Sequence, residues 1–213
     1  FSQQYPDATV GLSEQQLADF QQSLMASDFI LNSALQCPEI VVSLFSSERV
    51  YQTDCPNYQE ILTDLVGSCE SEEQLHKVLR QYRLQEMVNI AVADLLFELE
   101  LTSSLERLSE LADQLILAAL NWLTIFCQEK WGTPTSKSGE VQQLLVYGMG
   151  KLGGRELNFS SDIDLIFTYP QMGETQGARR SLDNQQFFTR LAQKLITALH
   201  QKTADGFVYR VDM

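Results

Sequence analysis

Between about residues 12 and 130 the apolar positions recur at helical intervals, and beyond residue 143 they change to the short runs and alternation of strands. Ser13 stands where a helix cap is needed, with Gln16 at the capping-box position and Leu17, Phe20 and Leu24 following. Shorter helices are predicted around 28–36 and 57–67. The clearest periodic signal runs from Glu72 to Leu101, where Leu75, Val78, Leu79, Tyr82, Met87, Ile90, Ala91 and Leu95 mark one long amphipathic helix. A further helix from about Ser104 to Glu129 is apolar nearly all round, which predicts burial between other helices. Trp122, Phe126 and Trp131 lie near helical spacing and read as core aromatics rather than a ligand box.

The pattern breaks at Trp131 to Gly139, a run of turn formers without apolar periodicity. The expected organisation is a helical bundle over 1–130, a linker over 131–142 and an α/β region over 143–213. In that last region a buried strand is predicted at Gln143–Tyr147, a glycine-rich turn at Gly148–Gly154 and a second strand at Ile163–Tyr169. A helix from Asp183 to about Lys202 and a third strand at Phe207–Met213 complete it. The fold class is α+β with a small mixed sheet. The chain stops on a strand-like run without turn or cap, as expected for a piece of a longer protein.

Composition narrows the function classes. With 44% hydrophobic residues in 213, the chain can bury a substantial core. No uninterrupted apolar run reaches the roughly 18 to 20 residues of a membrane helix, and the first residues lack the features of a signal peptide, so a cytoplasmic protein without a membrane partner is expected. Cys37, Cys55, Cys69 and Cys127 are scattered and read as reduced packing thiols, while His76 and His200 lack metal-ligand spacing. The net charge of -13 repels phosphate backbones, which disfavours nucleic acid and leaves a protein or a small nucleotide as partner.

The glycines then carry the chemistry. Gly148-Met-Gly150-Lys-Leu-Gly153 matches the dinucleotide-binding spacing, but that turn needs a full helix and its acidic residue at the far end of the next strand. Here the acids come at the start of that strand. A P-loop fails as well, because Gly154 stands where the invariant Lys belongs. What remains is a backbone that can approach phosphates closely through Gly153 and Gly154, with Lys151 as a nearby positive charge. Asp162-Ile-Asp164 puts two carboxylates on one strand face, a charge pair that Mg2+ would neutralise in phosphoryl transfer. Strand alternation also gives Arg210 and Asp212 a common face, so Asp212 is a candidate third carboxylate and Arg210 a candidate phosphate partner. A solvated strand entrance or an Asx-turn through Ser160, Ser161 and Asp162 is the plainer alternative.

The run from Gly148 to Phe167, with Val208-Tyr-Arg-Val-Asp212 downstream, resembles the glutamine synthetase adenylyltransferase/adenylyl-removing family, as does the helix Leu79–Asp94. The variant Asn158-Phe159-Ser160-Ser161-Asp162-Ile163-Asp164 is similar to the N-terminal, deadenylylating copy of that family's two catalytic domains. This resemblance implies a DNA-polymerase-β-like nucleotidyltransferase fold after the helices. It implies Asp162, Asp164 and Asp212 as catalytic, Mg2+-binding residues, with Gly153, Gly154, Ser160, Ser161, Lys151 and Arg210 about the nucleotide. The implied reaction is phosphorolysis of an AMP-tyrosine linkage on glutamine synthetase, with phosphate entering and ADP leaving. The implied partners are glutamine synthetase and a PII-type signalling protein. Adenylylation from ATP by the same fold, and a nucleotide-binding regulatory module without catalysis, are the alternatives.

Overall fold

A computed structural model describes residues 1, 4–5 and 7–212. In chain order the elements are α1 (Glu14–Ala26), α2 (Asp28–Gln36), α3 (Pro38–Ser46), α4 (Tyr58–Gly67), α5 (Glu72–Phe97), α6 (Leu101–Trp131), β1 (Thr133–Ser136), β2 (Leu145–Met149), α7 (Gly150–Gly153), β3 (Ile163–Thr168), β4 (Gly173–Gln176), α8 (Asn184–His200) and β5 (Val211–Asp212). The class is α+β.

Local chemistry sets the helix ends. Ser13 and Gln16 close the capping box at α1, and Ser71 accepts from the Gln74 amide at the start of α5. Helix α3 escapes the periodicity reading. It begins at Pro38, whose missing N–H is no loss at a first helical position, after a 111° bend from α2. Helix α5 stops at Phe97, short of the expected Leu101, because Glu98 turns into the left-handed region at φ 49°.

Helix α5 serves two cores, which explains why it is buried over most of its circumference. Val88 and Val92 pack with Phe20, Ile30, Val41 and Phe45 of α1–α3. Leu75, Leu79, Met87 and Ile90 instead join a larger cluster with α4, α6, α8 and the inner face of the sheet. That cluster includes Leu111 and Leu115 of α6, Ile163 and Leu165 of β3, and Phe187, Leu191 and Leu195 of α8. The helical and α/β regions therefore share apolar contacts. By length and composition α6 could cross a membrane, but half of that apolar stretch is buried in this core. Trp122 stacks on Phe126 at 5.2 Å and both pack against the same core.

The structure corrects three further sequence expectations, all in the strands. Within the expected linker 131–142, β1 pairs antiparallel with β4, from Thr133 opposite Gln176 to Ser136 opposite Gly173. The turn-forming residues disguise it, since Thr135 and Ser136 are buried through pairing rather than apolar alternation. The strand expected as buried at Gln143–Tyr147 is β2, which lies two residues later and exposes Leu145, Tyr147 and Met149. The third strand, expected over Phe207–Met213, is only Val211–Asp212, and Met213 lies outside the described residues. The amides of Val208 and Tyr209 both donate to the Leu199 carbonyl instead of a strand partner, so both side chains turn inward and alternation fails.

The three-stranded sheet has the order β2-β3-β5. β2 and β3 are antiparallel, with Met149 opposite Asp164, whereas β3 and β5 are parallel, with Asp164 opposite Asp212. One face is covered by the core. The other is open.

Candidate functional site

The site grows from the turn between β2 and β3. After Met149 the backbone enters α7 with Gly150 at φ 54°, and a Cβ there would collide with Oδ2 of Asp164. The dihedral favours glycine, and any side chain there would also displace the Asp164 carboxylate. Gly153 is constrained differently, since a Cβ would fall 2.6 Å from the Gly148 carbonyl oxygen. Gly154 has room, its nearest neighbour being 3.5 Å away. Gly150→Ala is accordingly expected to cost about 1–3 kcal/mol and Gly154→Ala about 0.5 kcal/mol or less. Urea denaturation of the two variants checks this, and equal midpoints would refute the assignment of Gly150.

The segment after α7 is fastened to α6. Arg155, itself left-handed at φ 56°, pairs with Glu110 at 2.8 Å and with Asp113 at 3.3 Å. Leu157 is buried, and its amide donates to Ser109 Oγ at 3.2 Å. Held there, the chain turns back through Asn158. Its Oδ1 accepts from the Ser160 amide at 3.3 Å, the Ser160 hydroxyl at 3.4 Å and the Ser161 hydroxyl at 2.7 Å. Ser160 and Ser161 thus shape the loop through their hydroxyl protons, and the Asx-type turn is centred on Asn158. Lys151 is exposed on α7 and pairs with no carboxylate among the described residues.

Asp162 immediately precedes β3 and Asp164 is its second residue, both exposed on either side of buried Ile163. The parallel pairing of β3 and β5 brings two more charges alongside. The Ile163 amide donates to the Arg210 carbonyl at 2.9 Å, and Arg210 Nε meets Asp162 Oδ1 at 2.5 Å. Asp212 stands directly opposite Asp164, so these two exposed residues are neighbours across the strands on the open face. His200, at the end of α8, fixes this strand by accepting from the Val211 amide at 3.0 Å.

The structure therefore brings all four expected residues to one face, but in two pairs: Asp162 with Arg210, and Asp164 with Asp212. Among the described residues no three His, Cys, Asp or Glu side chains close on a common point. The donor set suits a hard cation nonetheless. Mg2+ is commonly held by one or two carboxylates, with water and substrate phosphate oxygens completing its shell. Two like charges in register on adjacent strands are destabilising until something positive separates them. Gly150 and Asn158 are the residues that sequence reasoning left out. A glycine at a strand end before helix-forming residues signals positive φ, but its contact with Asp164 needs the sheet.

A family model described as glutamate-ammonia ligase adenylyltransferase matches residues 17–213. The chain is 46% identical, over 209 residues, to a bifunctional glutamine synthetase adenylyltransferase/adenylyl-removing enzyme from Shewanella woodyi, covering 98% of this chain and 22% of the relative. A protein of the same description from Vibrio parahaemolyticus is 57% identical over 156 residues, covering 73% of this chain and 16% of the relative. One from Psychromonas ingrahamii is 48% identical over 190 residues. The chain spans about a fifth of the length of these curated relatives.

Proposed function

The chain belongs to the glutamate-ammonia ligase adenylyltransferase family, and from that footing we propose that it carries a polymerase-β-type nucleotidyltransferase core that removes AMP from a tyrosine of glutamine synthetase. The observation that carries this reading is the Asp164–Asp212 register on the open face, beside Asp162 and above the Gly150 turn. Asn158 and Phe159, which mark the resemblance to the deadenylylating copy, support the direction of the reaction.

In that reaction an oxygen of inorganic phosphate attacks the phosphorus of the AMP group. The new P–O bond makes ADP, the P–O bond to tyrosine breaks, and the phenolate takes a proton from solvent. A phenol with pKa of about 10 is a competent leaving group, so no side-chain nucleophile is required. Mg2+ held by Asp164 and Asp212, with Asp162 adjacent, would neutralise the phosphate charges and stabilise the departing oxygen. The protein's own part is positional: Gly150 leaves the space above Asp164 clear, and Arg210 holds Asp162 while presenting positive charge at the edge of the face.

The test offers AMP-modified glutamine synthetase with phosphate and Mg2+, and separately unmodified glutamine synthetase with ATP. ADP release in the first mixture without pyrophosphate in the second is the expected result. Pyrophosphate without ADP would assign the opposite, adenylylating direction.

A further inference from the structure

A cleft of about 470 Å³ lies between α2, α5 and the turn after α8, and it reaches the carboxylate face through Ser160, Ser161 and Arg210. Its charge is opposite to that of the whole molecule. Four of the chain's 15 Lys and Arg residues line it, namely Arg80, Arg83, Lys202 and Arg210, against one of its 28 Asp and Glu residues, Asp205.

Two of these cations lie in the wall. Arg80 is bound to the backbone, donating to the His76 carbonyl at 2.7 Å, to the Gly206 carbonyl at 3.0 Å and to the Gln201 carbonyl. It thereby fixes the turn that bears Lys202. Arg83 is held by aromatic faces, its guanidinium lying 5.6 Å from the Phe207 ring centroid and 5.4 Å from that of Tyr209. Its Nε is buried and has no hydrogen-bond partner among the described residues, and no carboxylate pairs with it there. Burial pushes its pKa down, and the neighbouring Tyr209 hydroxyl offsets this only in part, so its charge is costly where it stands. Guanidinium groups remain protonated in proteins, and an unpaired buried donor carries a desolvation penalty. An anion in the cleft, against the outer edge of the guanidinium, would offset that charge.

We propose that this cleft binds a phosphate group, with Arg83 as its central ligand and Lys202 and Arg210 at its rim. The guanidinium fork matches phosphate oxygens, several cations around one void suit a multiply charged anion, and the volume admits a nucleotide as well as free phosphate. That the bound phosphate is a reactant rests on the phosphorolytic reading above. The binding itself does not.

Calorimetric titration of the chain with inorganic phosphate, AMP and ADP, at constant ionic strength in chloride and without divalent cations, tests the proposal. Wild-type protein is expected to bind phosphate or ADP, and Arg83→Gln to weaken that binding roughly tenfold or more. Because Arg83 packs on two rings, Lys202→Gln is the companion variant; its side chain is exposed, and a several-fold loss is expected. Competition between ADP and phosphate would identify the nucleotide's own phosphates as the natural source, and phosphate binding that ADP leaves unaffected would identify free phosphate. Asp164→Asn should bind as wild type does, since the titration contains no divalent cation; wild-type protein that binds phosphate yet releases no ADP from modified glutamine synthetase would sink the reaction and keep the site. No binding by wild-type protein, unchanged binding in both cleft variants, or loss of binding in Asp164→Asn would each overturn it.

Discussion

Asp164→Asn is expected to reduce AMP removal by about 10³-fold and at the same time to leave the fold intact or slightly more stable. The two halves of this result have one cause. Asp164 is exposed, so the isosteric amide disturbs no core contact, and it stands in register with Asp212 on the adjacent parallel strand. Like charges directly opposite one another destabilise a sheet, a repulsion that the amide removes. In the proposed reaction Mg2+ relieves that repulsion, so removing it with an amide also removes what the reaction needs. Measuring turnover beside the urea midpoint separates this from a structural role. Retained turnover would end the catalytic assignment, and a midpoint lowered together with activity would show that Asp164 supports the fold instead.

Arg80→Ala is expected to destabilise the protein by about 3 kcal/mol or more. Arg80 is 1% exposed, and its guanidinium reaches three backbone carbonyls, two of them more than a hundred residues away in the turn after α8. Truncation leaves those carbonyls without their charged donor and opens a void beside α5. Lysine cannot reproduce the planar fork, so Arg80→Lys should recover less than half of the lost stability. A change below about 1 kcal/mol in the alanine variant, read from urea denaturation, would contradict the bracing role. Because the same turn carries Lys202, a loosened turn should also weaken phosphate binding in the cleft.

Much of the site is legible in the sequence. Period-two alternation around Asp162, Ile163 and Asp164 put both carboxylates on one side of a strand, and the structure keeps them exposed with Ile163 buried between. Apolar spacing likewise marked α1, α2, α4, α5 and α6, because a helix face must bury at intervals that the chain itself displays. Helix α3 and strand β1 were not legible. Their burial depends on partners distant in sequence, α5 for the first and β4 for the second.

What the sequence by itself determined is therefore local: caps, periods, the glycine turn and the two acids on one strand. What only the tertiary structure decided is who stands beside them. The parallel register of β3 and β5 sets Asp212 against Asp164 and gives Asp162 to Arg210. The contact between Gly150 and Asp164, and the Arg83 Nε left without a hydrogen-bond partner among the described residues, belong to the same class. Each is a contact between segments that no spacing along the chain encodes, because strand register and cleft lining are set by how the shared core packs.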